Sequence, residues 1–169
     1  MQAEIEADFH IRQLYARFED AAFRKDGKAY AALFTEDGEW KLGAMHIKGQ
    51  SEIATTFAKL LGYTQKVQMI TGKPLLKIDS NKAIARSQCT ELTKMPDGSS
   101  SMAIGVYHDR FEKIGDQWLF RWRHFALHYR GPIDFSDELV PSPVYDEFPT
   151  LPNWDEPTLT KLKPEQRQK

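Results

Sequence analysis

One cysteine, Cys89, stands among the 169 residues, and a single thiol closes no internal disulfide and supplies no cysteine-based zinc motif. Neither sign of charge is in surplus: 23 basic residues face 24 acidic ones. With no basic block except Lys161-Leu162-Lys163, the footprint of a nucleic-acid binder is missing. Apolar runs extend for a handful of residues, far short of the ~20 that cross a bilayer. The N-terminus carries Glu4, Glu6 and Asp8 where a secretory leader would be basic and then apolar, and the expected compartment is the cytoplasm. Also missing are a glycine-rich phosphate loop, a Gly-x-Ser-x-Gly nucleophile elbow and the close His/Cys/Asp/Glu spacing of a metal site. No cofactor, no metal, no membrane and no nucleic acid is expected.

What the chain does have is patterned amphipathicity over one domain's length. From Glu4 to Arg24, Ile5, Phe9, Leu14, Tyr15, Phe18, Ala22 and Phe23 recur mainly at three- and four-residue spacing with charges between them, which predicts a helix. Asp26-Gly27 breaks it, and a short second helix is expected over Lys28 to Phe34. Short strands over Glu39–Leu42 and Ala44–Lys48 precede a helix over Ser51–Leu61, with Ser51 as its expected N-cap. Long alternating segments over Val67–Ile78, Ala83–Lys94, Met102–Ile114 and Trp118–Tyr129 read as four consecutive antiparallel strands. Helices followed by a strand run predict an α+β fold, a curved antiparallel sheet forming a cone-shaped barrel with the N-terminal helices covering its cavity. Residues 1–131 make that domain. Residues 132–169 are a proline-rich tail expected to wrap over the domain or a partner.

The most informative stretch is Ser101 to Tyr129, two aromatic-rich strands around Gly115-Asp116-Gln117. A two-residue loop, Gly115-Asp116, would place Arg110 opposite Arg121 and His108 opposite Arg123, and like charges directly opposed are unfavourable. A three-residue loop, Gly115 to Gln117, instead sets Asp109 opposite Arg123, Tyr107 opposite Phe125 and Gly105 opposite Leu127, with Arg110 beside Trp122 on the other face. The second register is preferred.

The order of elements, with the phrases Tyr15-Ala16-Arg17, Ala31-Ala32-Leu33-Phe34-Thr35-Glu36-Asp37, Gly49-Gln50-Ser51-Glu52-Ile53-Ala54 and Tyr107-His108-Asp109-Arg110-Phe111 through Trp118, resembles the SnoaL-like branch of the nuclear transport factor 2-like superfamily. The resemblance spans about residues 4 to 130. It implies a cone-shaped fold whose relatives include polyketide cyclases, scytalone dehydratase, steroid isomerase, epoxide hydrolase and the non-catalytic small subunits of ring-hydroxylating dioxygenases. It also implies an Asp-His dyad that this chain lacks: the aspartate position falls on Phe23, the tyrosine before it on Ala22, the first histidine on Gln68, a second near Ser87, and a short-strand tyrosine near Leu42.

The polar groups left for chemistry are therefore Arg123, Asp109 and Tyr107, with His46 near the cavity mouth. Arg123, its plane fixed by Asp109, would stabilise a developing oxyanion, and Tyr107 or His46 would move a proton. The plainer reading of Asp109 and Arg123 is a structural latch between two strands. Gln68, Phe18, Trp40, Leu42, Gly105, Phe125, Leu127 and Phe135 are the expected lining for an aromatic or polyketide-like small molecule. The expected function is a cofactor-independent lyase or isomerase, by dehydration, deformylation or proton transfer. The alternative is a non-catalytic small subunit or ligand-binding module of the same fold. An outer sheet face bearing Trp122, His108 and His124 needs cover, which predicts a homodimer or homotrimer through it.

Overall fold

Seven residues of the first helix, Ala7, Ile11, Leu14, Tyr15, Phe18, Ala21 and Ala22, form one buried stripe, and this stripe sets how α1 (Gln2–Arg24) lies on the sheet. Ile5, Phe9 and Phe23 fall off it and are exposed, Phe23 by 67%. The computed structural model describes residues 1–140 and 147–158. Pro141, Pro143, Tyr145 and the Lys161–Lys163 run named above lie outside the described residues.

At its C-terminus α1 turns on Lys25, whose φ of 56° lets its N–H reach the carbonyls of Ala21 and Ala22. Asp26 then caps α2 (Gly27–Ala31), accepting from the Ala29 N–H at 2.9 Å. The second helix stops earlier than its apolar pattern suggested, because the chain turns at Ala32-Leu33 and Phe34 opens the first strand. Strand β1 (Phe34–Leu42) and β2 (Met45–Lys48) form a hairpin, followed by α3 (Gln50–Gly62). The N-cap of α3 is Gly49, with no side-chain cap; Ser51 lies within the first turn.

The expected strand over Val67–Ile78 is two strands, β3 (Lys66–Thr71) and β4 (Leu75–Asp79). Gly72-Lys73-Pro74 separates them, since proline cannot donate to a ladder and glycine weakens one. Both pair with β5 (Lys82–Lys94). Then come β6 (Ser100–Ile114) and β7 (Gln117–Gly131), the long hairpin. The path is β2-β1-β7-β6-β5-β3, with β4 also on β5. This is an α+β fold with a mixed sheet: β1 runs parallel to β7, and the hydrogen-bonded path does not close. The helices cover the inner face, where Phe18, Tyr30, Phe34, Trp40, Ile53, Phe57, Phe111 and Phe120 make the core. Among the described residues no helix is long and apolar enough to cross a membrane.

Residues 147–158 lie across the outer face. Arg110 Nη2 donates to the Pro152 carbonyl at 3.1 Å, and Trp122 Nε1 to that of Trp154 at 3.2 Å. Lys41 Nζ donates to the carbonyls of Trp154 and Glu156 at 3.1 and 2.6 Å. The Trp154 ring lies 5.6 Å from that of Trp122. Trp122, His108 and His124 are consequently buried within the single chain. The exposed aromatic face on which self-association was expected is thus not what the fold presents.

Candidate functional site

The predicted face of the long hairpin exists, reached by a different route. The loop is two residues: Ile114 pairs with Gln117, and Gly115 at the first loop position has φ +58°. Registers from there would bring like charges together, but the ladder shifts by one residue between Phe111↔Phe120 and Arg110↔Trp122. The extra residue is Arg121. It leaves the ladder to bind Asp37, Nη1 to the carbonyl at 2.8 Å and Nη2 to the carboxylate at 3.0 Å. Beyond that bulge Asp109 faces Arg123, Tyr107 faces Phe125 and Gly105 faces Leu127.

Asp109 and Arg123 are both 0% exposed. Arg123 Nε donates to Asp109 Oδ1 at 2.8 Å and Nη2 to Oδ2 at 3.3 Å. Tyr15, from the α1 stripe, donates its hydroxyl to Asp109 Oδ2 at 2.7 Å. The guanidinium is enclosed by rings, its carbon 3.9 Å from the Tyr107 centroid, 4.1 Å from Phe120 and 4.6 Å from Phe18. Burial pushes the Asp109 carboxyl above its ordinary range, against the pull of Arg123. For Arg123, burial would lower the pKa, but Asp109 and the surrounding phenols more than offset it and the group is raised. This arginine is a fixed, permanent cation.

Its remaining end is unsatisfied. Arg123 Nη1, Tyr30 Oη and Trp40 Nε1 are all buried without a hydrogen-bond partner among the described residues. They adjoin: Trp40 pairs with Arg123 across β1 and β7, and the Tyr30 and Trp40 rings are 5.2 Å apart. Burial raises the Tyr30, Tyr107 and Tyr15 hydroxyls above the ordinary phenol range, so each is a proton donor at neutral pH. Three buried polar groups thus lie in neighbouring positions, and Arg123 interacts with the Tyr30 hydroxyl closely enough to oppose the effect of burial on it.

Several expected lining residues are here. Phe18 and Trp40 are core, and Leu42 and Phe125 are half-buried against it. Gly105 is required by Phe125: a Cβ at this position would come within 2.6 Å of the Ala126 carbonyl and into the Phe125 ring. Leu127 shares the face by register. Three expected residues are elsewhere. Gln68 is exposed on the outer face, because Val67 and Met69 take the inward positions of β3. His46 pairs with Lys41 on the outer face and lies 2.5 Å from Glu39 Oε2. Phe135 packs 4.6 Å from Tyr129, which pairs with outward Ile104.

Reading the sequence missed Tyr15, Tyr30 and Glu19. Glu19 lies one residue from Phe18, and its Oε1 accepts from the Thr71 N–H at 2.6 Å and from the Thr71 hydroxyl. Where the resemblance implied a dyad, Phe23 and Gln68 both point outward, while Glu19 and Thr71 join α1 to β3. The α1 spacing of Tyr15, Phe18 and Glu19 was the available signal. Cys89, on the same wall, has its thiol pushed up to about 12 by burial; it is no nucleophile at neutral pH. Among the described residues no group of three or more His, Cys, Asp or Glu could hold a metal ion.

Comparison with solved structures returns this architecture repeatedly. A protein of unknown function from Mycobacterium tuberculosis is 24% identical, with TM-score 0.68 over 75% of this chain and 73% of that one. A proposed scytalone dehydratase from Novosphingobium aromaticivorans is 16% identical, with TM-score 0.72 over 80% and 99%. A LinA-type3 hexachlorocyclohexane dehydrochlorinase from Novosphingobium barchaimii is 17% identical, with TM-score 0.70 over 82% and 97%. At these identities the likeness is one of fold. No curated protein matches the chain significantly by sequence. The SnoaL-like domain model matches residues 3–124, well over half of the chain, and the chain belongs to the SnoaL-like family.

Proposed function

We propose that the chain is a cofactor-independent lyase or isomerase acting on an aromatic or polyketide-like small molecule that carries a carbonyl or phenolic oxygen. The observation that carries this reading is that Arg123 Nη1, Tyr30 Oη and Trp40 Nε1, on adjoining residues, are all buried with unfilled hydrogen-bonding capacity. An oxygen accepting from a fixed cation and two neutral donors is stabilised most when it gains negative charge, as in proton abstraction next to a carbonyl or expulsion of a leaving group. Asp109 and Tyr15 position the guanidinium and do not touch the reacting oxygen. Tyr107 and the rings of Phe18 and Phe125 supply a flat apolar wall. Glu19 is the carboxylate proposed to take the proton, since the buried phenols hold theirs at neutral pH.

Fold-level likeness to a dehydrochlorinase and a proposed dehydratase agrees with elimination chemistry but does not choose a substrate. The test is turnover of a panel of aromatic and polyketide-like carbonyl compounds by wild type and by Arg123→Lys, Tyr30→Phe and Glu19→Gln, each verified as folded by circular dichroism. Removal of one oxyanion donor is expected to lower kcat by about 10²–10³-fold. Unchanged turnover in all three variants would sink the assignment.

One observation favours the alternative, a non-catalytic binding module or small subunit. Arg123 and the rings around it are buried, and depressions of about 510 and 320 Å³ lie away from Arg123. One is at the corner of Lys25, Gly27 and Ala58, the other between Ile5 and Ile78.

A further inference from the structure

The outer face carries an arrangement that the interior site does not use. Lys41, His124, His108 and Arg86 are direct cross-strand partners on β1, β7, β6 and β5, so they form one transverse row of nitrogen bases. All four are buried, His124 completely. The tail touches both ends of the row. Glu156 and Trp154 carbonyls accept from Lys41, and the Phe148 ring lies 5.9 Å from the Arg86 guanidinium. Between these ends the tail crosses on Arg110 and Trp122, one row away.

The middle of the row makes ring contacts but leaves its nitrogens without hydrogen bonds. Both ring nitrogens of His124 and Nδ1 of His108 have no hydrogen-bond partner among the described residues. The two rings are 6.0 Å apart and nearly perpendicular. A buried imidazole with neither nitrogen bonded is costly. Glu39, a carboxylate on this face, is engaged by His46 and by Trp154 Nε1.

The geometry points to a small-oxyanion site between the outer sheet face and the tail, with His124 and His108 as its donors and Lys41 as flanking charge. The ligand class is a free phosphate or carboxylate small enough to lie beneath residues 148–156. An anion would supply the missing acceptor and hold both imidazoles protonated. Without one they are held neutral. Burial first, then Arg86 and His128, lower His108 to about 4, while burial, His108 and Lys41 lower His124 to about 3. Among the described residues, the charged or titratable groups acting on the pair are Lys41 on β1, His128 on β7 and Arg86 on β5, with Asp155 of the tail near Lys41. Binding must therefore tighten as pH falls.

The experiment is a titration of the full chain with inorganic phosphate and, separately, acetate, read by imidazole NMR resonances. His108→Gln and His124→Phe assign the two signals among five histidines. The expected result is a saturable shift of both resonances with at least one anion, and a rise of about one unit or more in their apparent pKa, tenfold in the protonation equilibrium. Which anion saturates names the class. No saturable shift with either anion in the wild-type chain would overturn the site, as would equal shifts of the remaining histidines in the doubly substituted chain. Turnover at Arg123 is not part of the readout, so the two proposals fail separately.

Discussion

Arg123 and Asp109 stabilise the fold only together. Each is wholly buried and each satisfies the other, so removing one leaves an uncompensated charge in a low-dielectric core. Arg123→Ala is expected to cost about 3–5 kcal/mol in urea unfolding, whereas Tyr15→Phe, which deletes one hydrogen bond to the carboxylate, should cost about 1.5–3 kcal/mol. If Arg123→Ala unfolds with an unchanged midpoint, the pair is not the internal anchor described. Gly105 offers a second test at this scale. Gly105→Ala pushes a methyl group into the Phe125 ring and the Ala126 carbonyl, with an expected cost of about 1–3 kcal/mol. Combining it with Phe125→Leu should recover part of that loss, and strictly additive losses would show that the ring is not what Gly105 accommodates.

At the scale of elements, the hairpin shows what charge patterning can and cannot reveal. Opposed charges correctly identified which residues share a face, because the energetic preference acts on the pairs themselves. They could not reveal how the register was reached. A bulge at Arg121 depends on Asp37 and the Trp154 ring, residues distant in sequence. Gln68 was misplaced for a related reason: in a strand reading Lys66-Val67-Gln68-Met69, one residue of phase decides the face. The tail makes its own prediction through the histidine row. His108 and His124 have folded pKa values below the ordinary 6.5, at about 4 and 3. Their contribution to stability is complete above that ordinary value and is lost as pH falls toward the folded values. Thermal unfolding should therefore show Tm dropping steadily from near neutrality into acid at low anion concentration. His124→Phe should flatten the drop. A Tm insensitive to pH across that range would mean the imidazoles are not buried under the tail. Trp154→Ala, which removes ring contacts with Trp122, Arg110 and Arg121, should raise the proteolytic sensitivity of the segment after Gly131 while leaving the interior intact.

For the whole molecule, the order of helices and strands was legible because hydrophobic period and turn residues are local, and the family phrases follow the same order. The α+β architecture and SnoaL-like membership stand on that. What local pattern could not supply was convergence. Tyr15, Tyr30 and Trp40 come from three separate elements and meet around Arg123 only once α1, α2 and β1 are docked. Tyr30 reads as plain core until its hydroxyl is seen to lack a partner. The tail was expected to wrap over the domain or a partner, but a proline-rich segment has no period by which to tell that the Trp122 face is where it lies. The proposed function requires Arg123 Nη1, Tyr30 Oη and Trp40 Nε1 to receive a ligand oxygen. The most direct measurement is a crystal structure of the protein with an aromatic or polyketide-like carbonyl compound at saturating concentration. The predicted result is a ligand oxygen within ~3 Å of Arg123 Nη1 and of Tyr30 Oη or Trp40 Nε1. Ligand bound only at an outer surface, with the three donors unchanged, would contradict it.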